Sequence, residues 1–457
     1  MGGRYPLVGH LPRMRRDPLG LLLHASRLGG VSRLDLGPRG KALLITHPDG
    51  VKHVLLDRMP NFSKQTRGFN TLRAFLGQGL LTSEGSFWRK QRRIAQPAFH
   101  HGRIQRFQAV MSRAADDLGD RWDSETRAGR ALDVADDMMQ VTLRIVGECL
   151  FSTDPSHESS VIGPPVDLLL RKFIARISAP IAIPLNWPTP GNREVRNAIA
   201  ALRGVVDDIV ARRRDPGASG AEHADLLQML LEARDEDTGE GMSATQLRDE
   251  VLTLLVAGHE TTAAALSWSW VLLAQHPDVD ERLEAQLHAL PDDPTTLAEL
   301  EAAPLVGQVI HEAMRLYPPA WIFARSVVED DAVCGVPVKA GSLVILSPYA
   351  SHRRAAVFAD PDRFDPDRFE PARASGYSKY EYFPFGAGPR ICIGNGFALM
   401  EAQLVLARLR RRFRLRLAEG ARPEPNPLLT LRVKDGLEMR AEKATEGRVR
   451  TSCARSL

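Results

Sequence analysis

Cysteine, lysine and long apolar runs are scarce in this sequence. Its 457 residues hold four cysteines, at 149, 334, 392 and 453, too few and too scattered for a disulfide framework. That excludes a disulfide-stapled module and suggests a reducing, cytoplasmic setting in which at most one cysteine carries chemistry. Only nine of the 60 basic residues are Lys, so the positive charge rests on Arg. A formal net charge of +4 over this length is too small to argue for nucleic acid. No segment approaches the ~18 consecutive apolar residues of a membrane span. The first apolar run, from Leu19 to Leu23, ends at His24, and the opening Tyr5 to His10 has no signal-peptide core. The expectation is a chain without a membrane anchor.

What is present is a globular composition, 44% hydrophobic and 25% charged, rich enough for a large core. A length of about 150 residues per domain would allow about three domains. The chain nevertheless shows no internal repeat and no linker. It reads as one large, mainly α domain with small β-sheets over residues 1–440, followed by a polar, flexible tail at 441–457. Alternation around Gly37 and Gly40 from Ser32 to Thr46 predicts a hairpin. Helical periodicity dominates from Ser86 to Tyr317, broken where Pro180, Pro184, Pro188 and Pro190 cluster and again from Arg214 to Glu222. Short strands are expected between Ile322 and Leu346, an irregular meander from Arg353 to Pro384, and a helix from Phe397 to Phe413. The Ser243-x-x-Gln246 capping box predicts a helix running to Gln275.

The chemistry concentrates in Phe385-Gly386-Ala387-Gly388-Pro389-Arg390-Ile391-Cys392-Ile393-Gly394. A cysteine here follows a two-glycine loop and precedes a helix, an arrangement expected to lower the thiol pKa. With no second Cys or His beside it, the site does not suit structural zinc, which takes four protein ligands. An axial thiolate on haem iron suits it better. For a cysteine taken alone, a buried structural residue in a tight turn is the competing reading.

The run resembles the cysteine-ligand loop of the cytochrome P-450 superfamily, Phe-x-x-Gly-x-Arg-x-Cys-x-Gly, at every fixed position. Further similarities follow in family order. Trp88-x-x-x-Arg92 resembles the helix that meets a haem propionate, and Ala257-Gly258-His259-Glu260-Thr261-Thr262 the oxygen-activation motif. Glu312-x-x-Arg315 and Pro366-Asp367-Arg368-Phe369 resemble the structural ion-pair motifs. The resemblance implies the P-450 fold, haem b (iron protoporphyrin IX) and Cys392 as the iron ligand. It implies cofactor contacts from Trp88, Arg92, Ala257, Gly258, Arg325, His352, Phe385, Arg390 and Gly394. Glu260 and Thr261 are the implied catalytic pair, Glu260 passing protons inward and Thr261 supplying a hydrogen bond during oxygen activation. Read alone, Thr261 would instead bond back to its own helix turn, with Glu260 solvated. His259 is expected to be exposed or structural, and Gly258 to open the helix for dioxygen.

The implied activity is monooxygenation of an apolar, mid-sized substrate such as a terpenoid, polyketide or fatty-acid derivative. Electrons would come from NAD(P)H through a separate ferredoxin or flavodoxin and its reductase, since only 65 residues follow Cys392. Gly239 to Ala244 fits a dinucleotide fingerprint in spelling only, because an acidic stretch instead of a strand precedes it. Substrate is expected to meet Phe62 to Leu81, Ile181 to Trp187, Leu255 to Ala257, Pro319 to Phe323 and Leu429 to Leu431, with Trp321 and Phe323 the bulkiest. Arg89, Lys90, Arg92 and Arg93, with Arg408, Arg410, Arg411 and Arg412, are expected to form a basic patch for an acidic redox partner. A peroxygenase, isomerase or dehydratase, or a haem-binding sensor, are the alternatives; intact Glu260-Thr261 counts against them.

Overall fold

The computed structural model describes residues 8–37, 40–152, 156–179, 183–214, 225–291 and 293–444. Most of the loop expected at 214–222, part of the lid at 181–187, Cys453 and residues 445–457 lie outside the described residues.

The longer helices are α1 (Pro18–Arg27), α2 (Arg67–Leu76), α3 (Gly85–Ala95), α4 (Gln108–Arg127), α5 (Val134–Phe151), α6 (Ser156–Ser178), α7 (Pro190–Arg214), α8 (Ala244–Gln275), α9 (Pro277–His288), α10 (Leu305–Leu316) and α11 (Asn395–Arg412). The strands are β1 (Val31–Asp35), β2 (Lys41–Ile45), β3 (Phe62–Ser63), β4 (Leu132–Asp133), β5 (Phe323–Val327), β6 (Asp331–Val333), β7 (Val336–Val338), β8 (Leu343–Leu346), β9 (Phe413–Leu417), β10 (Pro425–Pro427), β11 (Leu431–Val433) and β12 (Glu438–Lys443). The largest sheet has the order β1-β2-β8-β5-β3. Its β2–β8 pairing is parallel and the others are antiparallel, with Val31 opposite Ile45 in the expected hairpin.

α8 is the spine. Both halves of the Ser243–Gln246 capping box form, and the helix runs to Gln275 as the sequence predicts. Its C-terminal half is core on every side: Leu266, Trp268, Trp270 and Val271 are all at most 1% exposed. Trp268 stacks on Tyr317 at 3.7 Å and donates to the Leu431 carbonyl, tying α8 to α10 and the β10–β11 hairpin. Trp122 of α4 meets Trp270 edge-on at 5.9 Å. α6 ends at Ser178 and α7 begins on Pro190, where a missing N–H costs nothing. β12 carries ordered backbone past the expected tail boundary at 440. Among the described residues, no helix is long and apolar enough to cross a membrane.

Candidate active site

The cysteine loop is held by its own backbone. The Cys392 N–H donates to the Phe385 carbonyl at 2.9 Å, and half-buried Phe385 packs on the main core. Gly388 sits at φ +69°, and a Cβ there would lie 2.1 Å from the Leu55 carbonyl oxygen, so no other residue fits. The Cys392 side chain is solvent-accessible, with protein packed closely around it. Burial pushes its thiol above the ordinary value, while the Gly394 N–H and Arg92 act the other way. The expected lowering is therefore outweighed, because one N–H donor and one nearby cation do not offset desolvation of a thiolate. A cationic metal bound to the sulfur would reverse that balance, so the site fits iron ligation.

α8 contributes a stripe of partial exposure in a helix otherwise buried along its middle. Leu254, Ala257, Gly258 and Thr261, spaced i, i+3, i+4 and i+7, are the half-buried residues between Val251 and Trp270. Leu255, expected to meet substrate, is instead 1% exposed core, and Leu254 takes its place on the open face. The Thr261 hydroxyl donates to the Ala257 carbonyl at 2.7 Å. A Cβ on Gly258 would come within 3.0 Å of Val146, so close packing by α5 is one physical reason for this glycine. His259 is structural, 3% exposed, with Nδ1 2.9 Å from the Leu255 carbonyl.

Glu260 is not solvated. It is 1% exposed, and its Oε1 accepts from Thr430 Oγ1 at 2.7 Å and Arg432 Nε at 2.8 Å. Oε2 has no partner. Arg432 also reaches Asp167 of α6 at 3.4 Å, whose side chain is about half exposed. Thr430 falls in the stretch expected to meet substrate and is instead a partner of Glu260; Arg432 and Asp167 were invisible in the sequence, because no local spacing links them to α8.

A second group of charges lies beside the loop. Arg390 lies 4.1 Å over the Trp88 ring and donates to the Ser83 carbonyl. Arg325 is 8% exposed and, among the described residues, donates only to its neighbour's carbonyl, at Ala324. Lys64, 7% exposed, donates to the Leu81 carbonyl. Lys64 and Arg325 both approach the Phe69 ring, at 4.9 and 5.6 Å. Burial, with mutual repulsion among the cations, pushes Lys64 well below its ordinary value and Arg325 to about 10; burial takes Arg390 to about 10. Glu84 is the carboxylate whose charge reaches all three. Three crowded cations against one carboxylate need an anionic partner, and the two propionates of haem fit that need. Arg92 instead donates to the Ile391 carbonyl at 3.0 Å, clamping α3 to the cysteine loop.

His352 does not join this group. It is 0% exposed, its Nε2 accepts from the Phe383 N–H at 3.0 Å, and the charges it feels are Arg315 and Arg353. Nε2 is committed to the coil that leads into the cysteine loop, and the ring is sealed from solvent, so the propionate contact implied by the resemblance is corrected. The ion-pair trio forms as expected: Arg315 donates twice to Glu312, at 2.7 and 2.8 Å, and Arg368 approaches at 3.4 Å. Arg315 also donates to the His352, Pro361 and Arg363 carbonyls, stitching α10 to the meander.

The expected basic patch on α11 does not exist. Arg408 and Arg410 are buried against Asp116 and Asp280, Arg411 pairs with Asp293, and Arg412 with Asp120 and Asp123. The helix turns these residues toward α4, α9 and the segment that follows α9, where the acids are. On α3, Arg93 pairs with Asp235 and Asp237 and Lys90 with Glu240, leaving Arg89 exposed with no ion pair among the described residues. Trp321 is also core instead of substrate wall: 6% exposed, its indole N–H bonds the Leu428 carbonyl.

A loop-held thiol, a cationic edge and a partly open helix stripe together define a haem-thiolate site. The cytochrome P-450 family model matches residues 1–438, and the chain belongs to that family of haem monooxygenases. It is 35% identical to the cyclooctatin synthase of Streptomyces melanosporofaciens, over 94% of this chain and 92% of that one. It is 32% identical to the pentalenene oxygenase of Streptomyces avermitilis, over 97% of each chain. A crystal structure of a cytochrome P-450 haem domain superposes with a TM-score of 0.86 at 27% identity, covering 97% of both chains.

Proposed function

We propose that this enzyme inserts one atom of dioxygen into an apolar, mid-sized terpenoid substrate, drawing electrons from NAD(P)H through a separate ferredoxin or flavodoxin in the cytoplasm. The observation that carries the reading is the half-open stripe Leu254, Ala257, Gly258 and Thr261, which offers substrate only aliphatic surface and one hydroxyl. The terpenoid class is supported by relatives named for pentalenene and, at 35% identity, for cyclooctat-9-en-7-ol.

Haem bound through Cys392 supplies the activation of dioxygen. Arg325, Arg390 and Trp88 hold its anionic edge, and Arg92 keeps the cysteine loop against α3. Thr261 keeps a hydroxyl at the half-open face of α8 and can turn it outward from the Ala257 carbonyl. Glu260, buried beside it, exchanges protons with solvent when Arg432, shared with half-exposed Asp167, swings off it and lets water reach the carboxylate, because a guanidinium keeps its own protons. The test is a substrate-binding spectrum over terpenoid, polyketide and fatty-acid panels, followed by product analysis. Terpenoid binding and oxygenation are expected; binding confined to the fatty acids would overturn the substrate class. Cys392→Ser should abolish the red-shifted absorbance of the reduced, carbon-monoxide-treated protein, and its survival would overturn the ligand assignment.

A further inference from the structure

Asn395 is one of seven asparagines in the chain and the one that precedes a glycine. The pair opens α11, with Asn395 three residues beyond Cys392. Gly394 is the N-cap, so Asn395 and Gly396 take the first two helical positions. An α-helix leaves its first N–H groups without a carbonyl four residues back. At Gly396 that spare N–H is taken by the residue before it, donating to Asn395 Oδ1 at 2.8 Å. Only the carbonyl oxygen of an amide accepts, so the side chain is folded with its carbonyl against the Gly396 nitrogen.

That contact brings together the two partners of an internal displacement. A bond from the Gly396 nitrogen to Asn395 Cγ closes a succinimide, and folding the side chain over its own peptide holds them close. The surroundings favour the step. Gly396 has no side chain to crowd the ring, and its backbone can turn into conformations closed to other residues. Gly396 is exposed and Asn395 half-buried, so water reaches both. Among the described residues the Asn395 NH2 makes no hydrogen bond, so nothing holds the leaving group.

We propose that Asn395 is a self-modification site, at which attack by the Gly396 nitrogen expels the side-chain NH2 and leaves a negative charge beside the cysteine loop. The Gly396 N–Cγ bond forms as the Cγ–NH2 bond breaks, and the peptide proton leaves with the amine as ammonia. Water then opens the ring to aspartate or to its β-linked isomer, with nothing oxidised or reduced. The new charge follows Gly394, whose N–H already counters the burial of the Cys392 thiol. Negative charge there favours the oxidised metal, so reduction becomes harder as the molecule ages. It also meets the positive end of α11, so the aspartate form stays folded. The chemistry stands on the Asn395–Gly396 contact alone; the effect on reduction rests on Cys392 holding the iron.

The experiment is peptide mass mapping of the holoprotein during incubation at mildly alkaline pH, with Gly396→Ala beside it. Alanine fits at 396, where its Cβ would meet only the movable tip of Ile104, at 3.2 Å. Asn395 should show the mass change of an amide becoming an acid before any of the other six asparagines does. Gly396→Ala should slow that change several-fold. An intact Asn395 after other asparagines have reacted, or an equal rate in Gly396→Ala, overturns the site. Spectroelectrochemical titration of Asn395→Asp tests the consequence. Its carbon-monoxide spectrum should match wild type and its reduction potential should lie lower; a potential equal to wild type overturns the charge effect. Should Asn395→Asp hold too little haem, wild-type protein aged until Asn395 has reacted takes its place. Survival of the red-shifted band in Cys392→Ser would instead count against the ligand assignment and leave the mass result standing.

Discussion

Arg432 Nε lies 2.8 Å from Glu260 Oε1, so the acid of the oxygen-activation motif is a buried ion pair between α8 and β11. Arg432→Met removes the cation and leaves a buried carboxylate to take up a proton. Turnover should fall by about 10- to 100-fold, a loss comparable to disabling one general acid. Steady-state rates for Arg432→Met, Glu260→Gln and the double variant check this. The double variant should be no worse than the poorer single one, because the two act as a unit.

Thr261→Ala removes a hydroxyl that bonds to its own helix, at the Ala257 carbonyl. Haem content and substrate affinity should stay near wild type, while product per electron falls at least about tenfold and peroxide rises. Parallel measurement of NAD(P)H, product and peroxide checks it.

Glu312 and Arg315 are both 0% exposed. Removing either partner strands the other charge, a loss of about 3–5 kcal/mol, against a typical domain stability of about 5–15 kcal/mol. Glu312→Ala and Arg315→Ala should yield little soluble haem protein, measured as carbon-monoxide absorbance per milligram. A stable, active holoprotein from either would mean the pair does not hold the meander.

Glu250 is 1% exposed, and burial pushes its carboxyl from 4.5 up to about 8. Between those values the native protein holds a proton that the unfolded chain has released, so stability falls as pH rises. The slope is about 1.4 kcal/mol per pH unit through that window. Glu250→Gln abolishes this contribution and still offers an oxygen to the Leu80 N–H, which Glu250 accepts at 2.9 Å. Thermal unfolding of the holoproteins at pH 5, 6.5 and 8 should show the variant gaining on wild type at each step.

Arg89 and Arg410 were expected to act alike, yet one is exposed and the other 0% exposed against Asp280. Arg89→Glu should fold normally and slow first-electron transfer from an acidic ferredoxin or flavodoxin, with a weaker dependence on salt. Arg410→Glu should fail at folding, as measured by soluble haem protein.

The local signals in the sequence were sufficient for much of this protein. The capping box at Ser243 marked the start of α8, because both of its hydrogen bonds lie within four residues. The two-glycine loop marked Cys392, because positive φ at Gly388 is a property of that residue alone. Glu312 and Arg315 announced themselves by sharing one helix face. What spacing cannot carry is which way a face points and what meets it. The arginines after Cys392 looked like a patch, and the rotation of α11 turned them onto acids of α4 and α9. His352 looked available to a cofactor until the fold set it under the Phe383 N–H. The partners of Glu260 are Arg432 of β11 and Thr430 just before that strand, some 170 residues away. Such contacts join helix and strand surfaces that come together only when the core closes, so burial and pairing of these charges were decided by the tertiary structure alone.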